Sequence, residues 1–243
     1  MEDKEFDAMA QVYDSMIDWE RRLERELPFL ISRLKPANRV LEVACSTGRH
    51  TAALACEFDV VGVDINQQMI LKANENVQGT EKQVTLIHGN ILDQSSEDLG
   101  TFEGGIILAN TLANMESRSG VKKCLEKLRE LIPSGRLIGQ TVQLGTEIVY
   151  LPLRSCTIDG EAYLVQRLII PISIGESTHQ LHFNVFKDGK YVSQSVHSLY
   201  SISLPLLKEL ASQTGWNLVE IYGGYDESPP RDRLGGALVW VLE

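Results

Sequence analysis

The sequence predicts an α/β fold, a doubly wound, seven-stranded and mostly parallel sheet with an inserted antiparallel β cap. Between Arg39 and Leu144, short β-rich runs alternate with longer amphipathic stretches, which is typical of βαβ crossovers and a parallel sheet. After Leu144 the alternation stops, and several β-rich runs follow one another with turn signals between them. The chain has 243 residues, 43% of them hydrophobic, so it can fill the core of one such domain carrying an insertion.

The parallel part of the sheet is predicted from five short runs and the helices between them. We expect strands at 39–43, 59–64, 83–88, 104–109 and 135–142, and helices near 48–56, 67–77 and 120–131. Pro133 and Gly135 separate the last of these helices from the fifth strand. Two further helices, at 7–16 and 20–34, precede the first strand and are expected to pack over the open end of the sheet.

The cap is predicted from β-rich runs at 167–174, 179–186 and 191–199. The turn dipeptides Asp159-Gly160 and Asp188-Gly189 favour hairpins, which makes this part antiparallel. Regular α/β order returns with Ser203 as the N-cap of a helix that runs to Thr214. Strands at 216–222 and 236–242 then complete the sheet. We therefore expect a core of 1–142 and 200–243, including an N-terminal helical lid at 1–37, and a substrate cap at 143–199.

Composition and charge exclude several classes of function. The net charge of -10 opposes nucleic-acid binding, because that affinity depends on Lys and Arg side chains that neutralise phosphates. No apolar run reaches the roughly 18 residues of a spanning helix, and the acidic N-terminus lacks the apolar segment of a signal peptide. The four cysteines form no CxxC pair, so neither a metal site nor a disulfide framework is expected. We expect a cytoplasmic protein that binds a small molecule or a protein partner and neither nucleic acid nor membrane.

The most informative segment is VLEVACSTG, from Val40 to Gly48. An apolar strand leads here into small residues and then into a helix, so a ligand can approach the backbone and the free N–H groups of the helix start. The next strand ends at Asp64, where a carboxylate at the sheet edge can accept hydrogen bonds from both hydroxyls of a ribose. The turn after the first strand and the carboxylate of Asp64 together predict a nucleoside-binding site.

The third and fourth strands bring more polar residues to the same edge of the sheet. Asn90 could bond the edge of an adenine, with Ile91 and Met69 packing against its faces, and the fourth strand delivers Asn110. A tight turn, an N-cap aspartate or a loop asparagine explains each feature when it is taken alone. Their joint placement at successive strand ends favours an adenosyl site.

A nicotinamide- or flavin-dependent oxidoreductase is the rival interpretation of this turn. The turn lacks the G-x-G-x-x-G pattern, because Ala44 and Ser46 occupy positions where glycines are required and the third glycine is absent. A pyrophosphate is harder to seat without those glycines. An adenosine that carries an uncharged thioether or a sulfonium chain makes smaller demands on the turn.

With these residues in place, a family resemblance can be named. The VLEVACSTG segment resembles the first motif of class I S-adenosylmethionine-dependent methyltransferases, which are Rossmann-like, and its Ala44-Cys45 variant resembles that of glycine and sarcosine N-methyltransferases. YDSMIDWERR at 13–22 is similar to the N-terminal segment of those enzymes, and LANTLANM at 108–115 to their segment after the fourth strand. YGGYD at 222–226 looks like the segment that joins the last two strands in related small-molecule enzymes. The resemblance covers the chain outside 143–199.

The resemblance implies S-adenosyl-L-methionine as cofactor and S-adenosyl-L-homocysteine as product. It implies that Tyr13 and Arg22 face the methionine end, that Asp64 holds the ribose and that Asn110 lies between cofactor and acceptor. The whole predicted cofactor-binding set is Tyr13, Arg22, Glu42, Ala44, Ser46, Gly48, Asp64, Ile65, Met69, Asn90, Ile91, Ala109 and Asn110.

Three positions depart from the family pattern. Ser46 replaces a usual glycine of the first motif, which makes the turn less permissive. Val142 stands where glycine N-methyltransferases carry an arginine that grips the substrate carboxylate, and Asn114 stands where a histidine is frequent.

Methyl transfer requires alignment of the acceptor, the methyl carbon and the sulfur more than a protein nucleophile, so no catalytic triad is expected. The candidates for catalytic contacts are Asn110, His182, His197, Tyr200 and Tyr225. His182 and His197 are candidates for a general base, although a cap histidine is more often a surface or packing residue, and Tyr200 and Tyr225 are equally explained as half-exposed sheet residues. His179 and His182 form an HxxH pair, but strand alternation puts them on opposite faces, which disfavours a metal. Arg154 and Arg167 could anchor an acidic group or could be half-exposed sheet residues.

The functional hypothesis is methyl transfer from S-adenosylmethionine to a small molecule, with nitrogen favoured over oxygen as the acceptor atom. A noncatalytic adenosyl-binding regulator or partner subunit is the alternative from another class, motivated by Ser46 and by the missing arginine at Val142. The oligomeric state is left open by the sequence, and a homodimer is one option.

Overall fold

Two sheets organise the part of the chain that the computed structural model describes, residues 13–158, 160–173, 177–230 and 236–243. The strands are β1 (Arg39–Val43), β2 (Asp59–Asp64), β3 (Val84–His88), β4 (Gly104–Ile107), β5 (Arg136–Val142), β6 (Val149–Ile158), β7 (Glu161–Ser173), β8 (Thr178–Lys187), β9 (Lys190–Tyr200), β10 (Leu218–Tyr222) and β11 (Ala237–Leu242). The larger sheet has the order β10-β11-β5-β4-β1-β2-β3, and the smaller sheet is β6-β7-β8-β9.

The larger sheet is parallel except at one strand. β1, β2, β3, β4 and β5 pair in parallel, whereas β11 runs antiparallel to both β5 and β10. β1 lies between β2 and β4, so the chain winds away from it in opposite directions. In an open α/β sheet this reversal leaves a crevice at the carboxyl ends of the strands, where ligands bind. The predicted doubly wound, seven-stranded and mostly parallel sheet is confirmed.

Helices cover both faces of this sheet. They are α1 (Trp19–Leu34), α2 (Arg49–Leu54), α3 (Gln67–Asn76), α4 (Ser96–Leu99), α5 (Arg118–Leu131) and α6 (Leu204–Gln213), with single 3₁₀ turns at Ile91–Asp93 and Ala113–Met115. Their starts follow from local chemistry, because Asp18, Ser117 and Ser203 each accept a hydrogen bond from a first-turn backbone N–H. Ser203 is the N-cap that the sequence predicts.

The apolar run in β1 is explained by burial on both faces of the sheet. Val40 packs into a core with α1 and α2, whereas Leu41 and Val43 pack into a second core with α5 and α6. Successive side chains of a strand point to opposite faces, so a central strand between two helical layers is mainly apolar, and Glu42 is the buried polar exception in β1.

The cap is the antiparallel sheet β6 to β9, and its last hairpin matches the prediction. Asp188 and Gly189 have φ values of 51° and 72° between β8 and β9, as a type I′ turn requires. No strand run was predicted over β6 or the first half of β7, although the turn between them was. A register shift between Leu151 and Arg154 breaks the apolar alternation of β6. Asp159, in the other predicted turn, lies outside the described residues.

The inner face of the cap packs on the crevice edge of the large sheet. Val165 and Ile169 of β7, together with Leu181 of β8, form an apolar cluster with Met69 and Ala113 of the core. The alternate residues of these strands point away from the core, which accounts for exposed side chains such as Leu164 and Ile172. The cap therefore roofs the carboxyl ends of the strands.

The predicted end of the fourth strand differs from the structure for a local reason. β4 ends at Ile107 and not at Ala109, because Ala109 has a φ of 54°, which ends the extended conformation. Of the helix predicted at 7–16, residues 13–16 are helical and residues 7–12 lie outside the described part of the chain. The domain boundaries proposed above stay predictions. No described helix has the length and apolar character needed to cross a membrane.

Gly139 generates a prediction about the sheet. It pairs with Trp240 of β11, and a Cβ added at Gly139 would lie 2.0 Å from the buried indole. We expect Gly139→Ala to lower the free energy of unfolding in urea by about 1–3 kcal/mol, as overpacked cores do. Gly104→Ala is the control, because its Cβ would meet the rotatable end of Leu34. Equal losses in the two variants would contradict this account.

Candidate active site

A cavity of about 800 Å³ lies where the carboxyl ends of the parallel strands meet the cap. Its walls come from three sources: the segment around Tyr13 and Arg22, the strand ends of the core, and the inner face of the cap. This volume is in the range of small-molecule sites in proteins.

The turn after β1 forms the floor of the cavity with strained backbone. Ala44 and Ser46 have φ values of 55° and 53°, and both line the cavity. A left-handed conformation costs a residue with a side chain roughly 1–2 kcal/mol. Gly48 has a φ of 71° but does not line the cavity; an added Cβ there would lie 2.9 Å from Ala73 of α3. A glycine is thus required at this position because the start of α2 approaches α3 closely.

The Asp64 carboxylate lies at the end of β2, in the wall of the cavity. Its Oδ2 accepts a hydrogen bond from the backbone N–H of Ser46 at 2.7 Å, and its Oδ1 accepts one from Asn66 at 2.9 Å. The residue is only 7% exposed. Each carboxylate oxygen has capacity for a further hydrogen bond, so this group can also bind a ligand hydroxyl.

Asn90 and its neighbours form an apolar slot beside Asp64. The Asn90 amide oxygen accepts from the Leu92 backbone N–H at 3.0 Å, which leaves the amide nitrogen as the donor available to a ligand. Ile65, Met69 and Ile91 also line this part of the cavity. A flat aromatic ring with an acceptor at its edge suits such a slot.

The fourth strand ends in two asparagines that face the cavity. Ala109, with a φ of 54°, turns the chain so that Asn110 and Asn114 line the wall. The amide oxygens of both asparagines are buried and have no hydrogen-bond partner among the described residues. Buried acceptors without partners are rare and costly, so they indicate that a donor belongs there.

The comparisons with known proteins agree with this geometry. Residues 40–135 match the methyltransferase domain family. A glycine/sarcosine N-methyltransferase of Halorhodospira halochloris is 30% identical over 136 residues, which are 54% of this chain and 51% of that protein. The chain is thus similar to methyltransferases in sequence, and the match to their domain family lies in the part that contains β1 to β4. The chain spans about half the length of the first two curated relatives it matches.

Solved methyltransferase structures share the fold along nearly the whole chain. The CcbJ methyltransferase from Streptomyces caelestis superposes with a TM-score of 0.78 at 22% identity, covering 97% of this chain and 95% of that one. CalS10, an amino pentose methyltransferase from Micromonospora echinaspora, gives a TM-score of 0.68 at 16% identity, covering 95% and 96%. The antiparallel cap is therefore part of a fold that known methyltransferases share.

The segment at 13–22 is held by Asp14, a residue outside the predicted site set. Its Oδ1 accepts from the Thr47 hydroxyl at 2.5 Å, and its Oδ2 accepts from the Arg49 guanidinium at 2.8 Å and from Asn76 at 3.1 Å. These bonds anchor the chain next to Tyr13, which lines the cavity. Asp14 lies within the YDSMIDWERR segment, but its partners are distant in sequence, so the segment alone did not reveal its role.

A buried polar network supports Arg22 from behind. The Arg22 Nε donates to both oxygens of Glu26 at 3.2 Å, and His50 Nε2 lies 2.8 Å from Glu26 Oε2. Burial raises the pKa of Glu26, but the His50 hydrogen bond and the Arg22 charge outweigh it and hold that pKa below its usual value. Burial lowers the pKa of His50, which is therefore neutral near pH 7. Arg22 thus presents an oriented cation to the cavity.

Glu42, in the predicted cofactor set, lies next to this network and does not line the cavity. Its Oε2 accepts a hydrogen bond from the Thr51 hydroxyl, and its Oε1 lies 4.0 Å from His50 Nδ1. Burial raises the pKa of Glu42 to about 8. The carboxyl is therefore largely neutral at pH 7. It contacts Thr51 and His50 behind the cavity wall.

The candidates for catalytic contacts divide into two groups. Asn110 and His197 line the cavity, whereas His182, Tyr200 and Tyr225 do not. His182 bonds Gln180 and Gln194 on the outer face of the cap, Tyr200 packs against the main apolar core, and the Tyr225 hydroxyl donates to Gln140 at 3.1 Å. No group of metal-binding side chains occurs among the described residues, and His179 bonds a backbone carbonyl.

His197 is positioned in the cavity but is a weak base. It packs edge-on against Phe183, with ring centroids 5.5 Å apart, and burial lowers its pKa to about 4. The imidazole is therefore neutral at pH 7 and has little affinity for a proton. Arg154 and Arg167 of the cap also line the cavity, whereas Val142 does not.

Glu42 generates a prediction about pH. Because its pKa is raised in the folded protein, the native state keeps a proton that the unfolded chain loses as the pH rises from about 5 to 8. This group therefore lowers the free energy of unfolding as pH rises, by at most about 1.4 kcal/mol per pH unit. Urea unfolding of Glu42→Gln between pH 5.5 and 7.5 is expected to show a smaller decline than wild type.

The exposed Glu24 of α1 provides the control for this prediction. Glu24→Gln is expected to keep the decline of the wild-type protein, because this substitution leaves the buried Glu42 carboxyl unchanged. Parallel curves for Glu42→Gln and wild type would contradict the raised pKa.

Proposed function

We propose that this methyltransferase transfers a methyl group from S-adenosylmethionine to a small-molecule acceptor, at nitrogen in preference to oxygen. One observation carries the proposal: Asp64, Asn90 and Asn110 stand at successive strand ends around one cavity. Their side chains offer, in that order, acceptors for ribose hydroxyls, a donor for an adenine edge and an acceptor beside the reacting group.

The residues present fit the cofactor from end to end. Asp64 would hold the ribose, and Ile65, Met69 and Ile91 would enclose the adenine that Asn90 bonds. The methionine carboxylate would pair with Arg22, whose orientation Glu26 fixes. S-adenosylmethionine supplies an electrophilic methyl group on a sulfonium. The contribution of the protein is to hold both reactants in line, which can be worth up to roughly 7–11 kcal/mol of the barrier.

The chemistry of the cavity favours nitrogen as the acceptor atom. A neutral amine attacks with its own lone pair, whereas a hydroxyl needs a base to remove its proton. His197 has a pKa of about 4, so it cannot serve as an effective base at pH 7. The buried amide oxygens of Asn110 and Asn114 can accept hydrogen bonds from an amine N–H and orient its lone pair. The curated N-methyltransferase relatives support the same choice.

We also propose separate roles for the core and the cap, and a cytoplasmic location. We assign cofactor binding to the core, at 1–142 and 200–243, and acceptor selection to the cap at 143–199, whose inner face supplies the roof of the cavity. The free thiols of the four cysteines, three of them buried, fit a reducing, cytoplasmic environment.

Binding of S-adenosylhomocysteine, measured by calorimetry, tests the cofactor site. Asp64→Ala is expected to weaken binding at least about tenfold, because a hydrogen bond to a charged group contributes about 1.5–3 kcal/mol. The matched control is Asp59→Asn at the opposite end of β2, where the side chain bonds the Gln83 backbone. It should bind within twofold of wild type.

Turnover is tested by transfer of a labelled methyl group to a small-molecule extract. Transfer to an amine supports the enzyme and excludes a noncatalytic adenosyl-binding subunit. A folded wild-type sample that binds neither adenosyl compound would overturn the proposed function, as would equal affinities of Asp64→Ala and wild type.

A further inference from the structure

Two arginines of the cap project into the cavity from neighbouring strands. Arg154 belongs to β6 and Arg167 to β7, and both line the cavity on the side opposite the turn after β1. The register sets Arg154 beside Val165, and Val165 shares one face of β7 with Arg167. Their guanidinium groups thus come from one face of the cap sheet.

The positive charge of this pair is not balanced by the protein. Among the described residues, neither arginine forms an ion pair with a carboxylate; Arg167 makes one weak contact, to the Pro152 carbonyl at 3.5 Å. The Arg167 Nε is buried and has no hydrogen-bond partner there. Burial, and after it the charge of Arg154, lowers the pKa of Arg167. A half-buried cation beside a second cation is unfavourable unless an anion joins them.

Two of the other three arginines that line the cavity are already engaged. Arg22 and Arg25 share the buried Glu26, with N–O distances of 3.2 Å and 3.0 Å. Five of the described residues that line the cavity are arginines and three carry carboxylates, although the whole chain has a net charge of -10. The protein therefore concentrates positive charge in this cavity, and the cap supplies two of the three arginines there that form no ion pair among the described residues.

The surroundings of the pair strengthen its attraction for an anion. Leu151, Leu181 and Phe183 line the same side of the cavity, and Phe183 stands directly opposite Arg167 in the register of β7 and β8. Apolar walls exclude water, so a charge-assisted hydrogen bond is stronger there than at an open surface. The fork of a guanidinium matches the oxygens of a carboxylate or a phosphate.

We propose that the methyl acceptor carries an anionic oxygen group, a carboxylate or a phosphate, that Arg167 and Arg154 bind in the cap. This inference rests on the proposed function and adds the substrate class to it. With its anionic end held in the cap, the acceptor extends its amine across the cavity towards Asn110 and Asn114 at the end of β4. The two ends of the acceptor thus contact different parts of the protein, the cap and the core.

The experiment measures transfer of the labelled methyl group to a small-molecule extract of the organism that makes the protein, with the labelled product identified by mass spectrometry. The product is expected to contain a carboxylate or a phosphate, and the spectrum distinguishes the two. Arg167→Gln is expected to lower kcat/KM for that acceptor at least about tenfold, mainly through KM, because it removes one partner of a charged pair. Arg154→Gln should lower it less, since Arg154 is more exposed.

Two controls separate acceptor binding from structural damage. Lys190→Gln removes a positive charge from an exposed cap position outside the cavity and should leave kcat/KM within twofold of wild type. Arg167→Gln should bind S-adenosylhomocysteine as wild type does, because the cap does not hold the cofactor in this account. A loss of that binding as well would overturn a specific role for Arg167.

A labelled product without an anionic group would overturn the inference, as would an Arg167→Gln variant with unchanged kcat/KM. Either result leaves the proposed function intact, because methyl transfer has then been observed. Cofactor binding without transfer to any compound of the extract would instead overturn the proposed function, and this inference would fall with it.

Discussion

The Asp64 carboxylate is the interaction on which the rest of the site depends. It accepts hydrogen bonds from the backbone N–H groups of Ser46 and Asn66, and these bonds join the turn after β1 to the end of β2. Ser46 is held in a left-handed conformation that costs roughly 1–2 kcal/mol, and a charge-assisted hydrogen bond of about 1.5–3 kcal/mol can offset that cost. The same carboxylate lies in the cavity wall, where a carboxylate oxygen can also accept a hydrogen bond from a ligand. The Asp64 side chain therefore both stabilises the strained backbone of Ser46 and offers a carboxylate to a ligand.

Much of this architecture could be predicted from local sequence because it obeys local rules. The double burial of β1 is visible as an apolar run, and Asp64 and Asn90 follow from the positions where strands end. What the sequence did not reveal depends on distant partners. Glu42 looked like a cavity residue, but Thr51 and His50 hold it outside the wall.

Other differences between the predicted site residues and the cavity lining have the same origin. Gly48 contacts α3, a helix later in the chain, and does not line the cavity. Tyr225 is drawn to Gln140 in the core, and His182 turns outward because strand alternation puts it on the solvent face. β6 was missed because its register shift interrupts the alternation on which strand prediction relies. Neither these contacts nor the approach of Arg154 to Arg167 has a signature in local sequence.

In the proposed complex, an adenosyl group lies in the crevice with its ribose on Asp64. A crystal structure of the protein with S-adenosylhomocysteine tests this arrangement. We expect both ribose hydroxyl oxygens within about 3.2 Å of the Asp64 carboxylate oxygens, a usual hydrogen-bond distance, and the adenine between Met69 and Ile91. An adenosyl group bound elsewhere, or a ribose turned away from Asp64, would contradict it.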